Sequence, residues 1–138
     1  MKKIVLSLLM ATSLVACGEK AEAPKENAKP VVKIGISLPL SGPMADVGKV
    51  FKSTVSLAKK DLPQNTRNKY EFIIEDNAFD TKRAAMVNNK FFNNDKVNAI
   101  LDVGSKVGLL TAPVANDNKV IHIGLAAEKA IIKENYNF

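Results

Sequence analysis

The chain has 138 residues, and its 20 Lys and Arg against 14 Asp and Glu give a formal net charge of +6. The cations are scattered with no run of five, which describes a solvated surface and excludes a nucleic-acid footprint. One cysteine leaves no partner for an internal disulfide, and one histidine makes no metal site.

The chain opens with a short positive segment, Met1-Lys2-Lys3, followed by an apolar stretch from Ile4 to Val15 broken only by Ser7, Thr12 and Ser13. A membrane-spanning helix needs roughly 20 apolar residues, so this stretch is too short and reads as a cleaved export signal. It closes with Leu14-Val15-Ala16-Cys17, which resembles the lipobox of bacterial lipoproteins. That resemblance implies that the Cys17 thiol is alkylated with diacylglycerol and that the chain is cut just before it. The product would be exported and lipid-anchored to a membrane, facing the periplasm or the cell exterior. Removing residues 1–17 takes away two lysines and no acid, so the mature chain keeps a charge of about +4. Its attraction to anionic headgroups would be weak beside the lipid itself.

Residues 18–30, GEKAEAPKENAKP, hold no aliphatic side chain larger than Ala, and they carry many charges and two prolines. Such a segment cannot bury enough apolar surface to offset its ordering entropy, so it reads as a tether reaching at most about 45 Å. From Val31 to Phe138 a single domain follows, without repeats or low-complexity segments.

Val31–Leu38 is an apolar, β-branched run stopped by Pro39, and it predicts a strand. Val47, Val50, Phe51, Thr54, Val55, Ala58 and Leu62 then recur at helical spacing and predict one buried stripe. Tyr70–Glu75 predicts the second strand. Asp80 is a candidate N-cap for a helix with Ala84, Val87, Asn88 and Phe91 on one face. Val97–Val103 predicts the third strand, and Ser105 should cap a helix with Val107, Leu110, Thr111 and Val114 on its inner face. Pro113 should kink that helix or end it early. Lys119–Leu125 predicts a fourth strand, and the tail from Glu128 again looks helical.

Alternating strands and helices with continuous apolar strands predict an α/β fold, a doubly wound parallel sheet covered on both faces. Ligands of such sheets sit beyond the carboxyl ends of the strands. The working rim would then be Pro39–Asp46, Asp76–Asp80, Gly104–Lys106 and Ala126–Glu128.

Three rim segments carry a resemblance when read in order: SLPLSGPMADVGK (Ser37–Lys49), EDNAFDTKRA (Glu75–Ala84) and AILDVGSKVGLLTAPVANDNKVIHIGLAAE (Ala99–Glu128). Together they resemble the amino-terminal lobe of the type I periplasmic solute-binding proteins, in the leucine/isoleucine/valine-binding branch that serves ABC importers. The resemblance runs from about Val31 to the end of the chain and covers the first part of the first lobe. It implies two lobes closing over a small ligand, an amino acid or a related small solute, which is handed to ABC permease subunits. It implies no catalytic residue, no cofactor, no metal and no nucleic-acid partner.

Carried over position by position, the resemblance assigns the ligand hydroxyl contact to Ser105 and backbone contacts to Ala126 and Ala127. The next position falls on Glu128, where the family commonly has serine or threonine. A carboxylate there would repel a ligand carboxylate and favour an ammonium. Val47 is a second departure, since the family often has an aromatic nearby. On physical grounds, a hydroxyl at a helix N-terminus beside free N–H groups suits a carboxylate. Glu128 can equally be an acidic residue in the first turn of the last helix.

Two other classes stay open. Glu75, Asp76 and Asp80 could mimic the acidic magnesium pocket of a flavodoxin-like enzyme or phosphoacceptor domain, although a strand end plus a helix cap also explains them. A lipoprotein that only scaffolds is the third class. His122 is expected to be packed within the fourth strand.

Overall fold

The computed structural model describes residues 29–63, 65–133 and 135–138. The export signal, Cys17 and the tether up to residue 28 lie outside the described residues. Four strands form, β1 (Val31–Leu38), β2 (Lys69–Asp76), β3 (Ala99–Val103) and β4 (Ile121–Leu125). They alternate with three helices, α1 (Ala45–Asp61), α2 (Thr81–Asn89) and α3 (Ser105–Asp117). All strand pairs are parallel, in the order β2-β1-β3-β4. This is the expected parallel α/β sheet, and the reversal of strand order beside β1 creates a crevice at its carboxyl end.

Strand side chains alternate between two apolar layers. Ile36, Leu38 and Val103 pack with Ile34, Phe72, Ile74 and Leu101 on one face, beneath Phe51 and Val55 of α1. On the other face Ile100 joins Val87, Phe91, Phe92, Val97 and Ala115, under α2 and α3. The face is as expected, with Ala84, Val87 and Asn88 of α2 and Phe91 of the π turn that continues it (Lys90–Asp95) all buried.

The α1 stripe differs from expectation. Val50 is 65% exposed, and Thr54 and Ala58 face solvent, while Phe51 and Val55 point inward. The reason is Gly48, the one buried residue of this helix, where a Cβ would stand 2.1 Å from the Pro39 carbonyl oxygen. That close approach rotates the helix so that its glycine face, not the Val47–Val50 edge, meets the sheet.

In α3 the inner face is Val107, Gly108, Thr111, Ala112 and Ala115, with Val114 outside. The helix runs four residues past Pro113, with no early end. Pro113 and Leu109 both face solvent, so water can take up the carbonyl that the missing N–H leaves free. β3 and β4 each begin two residues later than their apolar runs suggest, because Val97 donates to the Phe91 carbonyl and Val120 to that of Ala115.

The tail is a short 3-10 turn, Lys129–Lys133, and not a full helix. Residues 136–138 then run parallel to β4. His122 donates to the Tyr136 carbonyl at 2.8 Å, Phe138 to that of His122 at 2.9 Å, and Gly124 to that of Phe138 at 3.0 Å.

A buried polar relay locks this edge. His122, fully buried as expected within β4, places Nδ1 2.7 Å from Asn137 Oδ1, while Asn137 Nδ2 donates to the Ala112 carbonyl at 3.2 Å. That bond turns the amide oxygen toward the ring, so Nδ1 carries a hydrogen. Nε2 sits 3.0 Å from Oδ2 of Asp102, which is equally buried. The alignment is poor for a hydrogen bond, so the contact acts chiefly as an ion pair when the ring is protonated. Both ring nitrogens face acceptors, the setting of an imidazolium. Burial pushes the His122 pKa down, but the Asp102 carboxylate and the Asn137 amide outweigh it and hold it above its ordinary value. On the opposite side of β4, Ile121, Ile123 and Leu125 remain exposed.

Candidate functional site

The rim is built from the ends of β1, β2, β3 and β4, and its two halves are held differently. On the β1–β2 side, Asp76 at the end of β2 ties together two loops and the start of α2. Its Oδ1 accepts from the amides of Leu40, Ser41 and Ala78 at 2.9, 3.1 and 2.8 Å. Its Oδ2 accepts from the Ser41 hydroxyl at 2.6 Å and from Arg83 Nη2 at 3.1 Å. Partial burial raises its pKa, but the Ser41 hydroxyl and the three amides outweigh that and hold it below the ordinary 3.8.

Next to it, Asn77 is buried and donates to the Ser37 hydroxyl at 2.9 Å, while its own Oδ1 accepts from the Phe79 amide. These bonds hold Ala78 and Phe79 at φ of 50° and 55°, a left-handed pair that neither residue favours. Asp80 caps α2, its carboxylate accepting from the Arg83 amide at 2.9 Å. Glu75 pairs with Lys90 at 2.9 Å. The acidic trio thus supplies a strand end, a helix cap and a surface ion pair, and Asp76 faces amides, a hydroxyl and a guanidinium.

The strained turn places the Phe79 ring over Gly104. A Cβ at Gly104 would stand 2.5 Å from Phe79 Cε2, and its φ of 97° already favours glycine. The Lys106 ammonium lies 5.8 Å from the same ring, a cation–π distance. Sequence reasoning missed Phe79. It is the aromatic group of this rim and comes from the β2–α2 loop, not from the neighbourhood of Val47. Its spacing gives no signal, because its placement depends on two positive φ angles.

On the β3–β4 side the ties are few. The N-cap of α3 is Gly104, not Ser105: the Gly104 carbonyl accepts from Val107 and Gly108, and Ser105 is the first helical residue. The Ser105 hydroxyl is partly exposed and has no hydrogen-bond partner among the described residues. The amides of Ser105 and Lys106 stand in the first turn, where no intrahelical acceptor exists.

Ala126, Ala127 and Glu128 are exposed. The Ala126 amide donates back to the Gly124 carbonyl at 3.0 Å, so only its carbonyl remains for another partner. Glu128 opens the 3-10 turn: its Oε1 accepts from the Ala130 amide at 3.1 Å, and its carbonyl accepts from Ile131 at 3.3 Å. The Gly104 amide donates to the Leu125 carbonyl at 3.0 Å, which brings the Ser105 turn and the Ala126–Glu128 loop side by side. A concavity of about 420 Å³ opens between β2 and α2, beside Asp76 and Arg83, and another of about 550 Å³ lies at the opposite end of the sheet.

Solved structures share this architecture. A leucine-binding protein from Thermotoga maritima superposes with a TM-score of 0.72 at 24% identity, covering 77% of this chain and 31% of that one. A branched-chain amino acid transporter substrate-binding protein from Streptococcus pneumoniae, in complex with isoleucine, gives 0.72 at 24% identity, covering 78% and 33%. A solute-binding protein of an ABC transporter from Rhodopseudomonas palustris, in complex with 3,4-dihydroxybenzoic acid, gives 0.71 at 28% identity, covering 78% and 31%. The chain therefore spans about a third of the length of these neighbours. No curated protein matches it. Residues 31–138 match the family model described as periplasmic binding protein, and with that match and this sheet the chain belongs to the periplasmic binding protein family, in the architecture of a type I lobe.

Proposed function

We propose that the chain is the ligand-gripping part of an exported solute-binding lipoprotein, anchored through Cys17, that hands an amino acid or related small carboxylate to ABC permease subunits. The observation that carries this reading is the open first turn of α3, where the unengaged Ser105 hydroxyl and two free amides stand beside the Ala126–Glu128 loop. Such a helix terminus suits an anion, since its amides and its dipole both favour negative charge.

The small molecules bound in two of the neighbours, isoleucine and 3,4-dihydroxybenzoic acid, share a carboxylate and little else. A carboxylate taken by Ser105 and the α3 amides is the common element such ligands offer. Ala126 would contribute its carbonyl and Ala127 its backbone. Glu128, with Oε1 already capping the 3-10 turn, would offer Oε2 to a ligand ammonium. That favours zwitterions over plain carboxylates.

The test is thermal unfolding of the chain against a panel of amino acids and aromatic carboxylates. At a ligand concentration ten times Kd the stabilisation is about 1.4 kcal/mol, by RT ln(1 + [L]/Kd). Ser105→Ala should weaken the best ligand by about 1–3 kcal/mol, through loss of a charge-assisted hydrogen bond. A panel without any shift, or a best ligand indifferent to Ser105→Ala, contradicts the assignment.

A further inference from the structure

We propose that the base of the lobe, the end opposite the rim, docks on the anionic phospholipid headgroups of the membrane in which the chain is anchored. The proposal rests on the lipid-anchor reading of Cys17 and adds a second, electrostatic contact.

The concavity of about 550 Å³ at this end lies between the start of β1, the start of β2 and the end of α1. Its charged lining residues are Lys29, Lys59 and Lys69, with no acid among them, and Val31, Leu62 and Tyr70 supply an apolar floor. The connection across residues 59–69 carries Lys59, Lys60, Arg67 and Lys69 against Asp61 alone. The four rim loops hold Asp46, Asp76, Asp80 and Glu128 with Lys106, and Lys49 and Arg83 stand against Asp46 and Asp76, so no comparable cationic excess gathers there. The other two base connections, 93–98 and 117–120, hold one acid and one cation each, so the excess is local to the β1–β2 side.

That side is also where the chain enters the domain. Cys17 precedes Lys29 by twelve residues, a reach of at most about 40 Å, so an acyl chain at Cys17 keeps the patch close to the headgroups. The Lys59 ammonium lies 5.7 Å from the centroid of the Phe72 ring, which restrains it. Each cation brought to an anionic surface strengthens partitioning about fivefold, within a screening length near 8 Å at physiological salt. Docked this way, the carboxyl ends of the strands point away from the bilayer.

The experiment takes the expressed and processed chain, mixes it with vesicles of phosphatidylcholine alone or with added phosphatidylglycerol, and floats them. Lysines are then acetylated from solution and counted by mass spectrometry. The account predicts flotation with both vesicles, and several-fold protection of Lys59 and Lys69 only where phosphatidylglycerol is present. High salt should reverse that protection, and Lys82 on α2 should be unaffected. K59E/K69E should float equally well and leave Lys60 unprotected. Flotation with phosphatidylglycerol alone, lost in K59E/K69E, supports the docking surface and refutes the anchor. Equal labelling on both vesicles, protection of Lys82 instead, or no flotation at all overturns the proposal.

Discussion

Asp76 alone engages three amides, a hydroxyl and a guanidinium on the β1–β2 side of the rim, whereas on the β3–β4 side the Ser105 hydroxyl and the first α3 amides engage nothing described. Both halves sit at the same level of one sheet, so the difference lies in loop chemistry, not in topology. A polar group tied to its own fold has little left to offer a ligand. One left at a half-exposed helix terminus is available for it. In the proposed reading the β1–β2 half is scaffold and the β3–β4 half is the gripping surface. Phe79 joins them by lying over Gly104.

The largest effect comes from cutting the scaffold. Asp76→Ala leaves three partly buried amides and Arg83 without their acceptor, so it should lower stability by about 3 kcal/mol in urea unfolding. A loss below about 1 kcal/mol would show the two halves to be held alike. The same carboxylate sets an acid limit. Its folded pKa lies below its unfolded value, so its contribution is present above pH 3.8 and is lost as pH falls through the folded value.

His122 gives a smaller and opposite dependence, away from the rim. Its folded pKa is raised, so its contribution is complete below pH 6.5 and is lost as pH rises through the folded value. The urea midpoint should fall on the alkaline side of pH 6.5, and this slope should vanish in His122→Gln. Hydrogen exchange should show the loss first at Tyr136–Phe138, the segment that Asn137 ties to His122. The smallest effect belongs to the β3–β4 half. Ser105→Ala should change stability by less than about 0.5 kcal/mol, since the hydroxyl holds nothing in the fold.

The strands, the helices and the location of the rim were readable in the sequence because continuous apolar runs and helical spacing both survive in this fold. Ala84, Val87, Asn88 and Phe91 pack as their spacing predicts. The α1 face was not readable, because its orientation turns on how closely Gly48 meets the Pro39 carbonyl, a contact distant from any apolar count. The tail looked helical from composition. Pairing of residues 136–138 with β4, a non-local hydrogen-bond pattern, decides otherwise.

At the rim, Ser105, Ala126, Ala127 and Glu128 came from a resemblance, and their geometry adds detail that no spacing carries. The cap moved to Gly104, the Ala126 amide turned inward, and Glu128 took up the 3-10 turn. Asp76 and Phe79, which shape the rest of the rim, depend on loop dihedrals invisible in a linear pattern.

The most direct measurement of the split rim is amide chemical-shift mapping of the chain titrated with isoleucine. The account predicts saturable shifts at Gly104–Val107 and Ala126–Glu128, with Leu40, Ser41 and Ala78 silent. Shifts centred on Leu40–Ser41 and Ala78, with Ser105 unmoved, would contradict it.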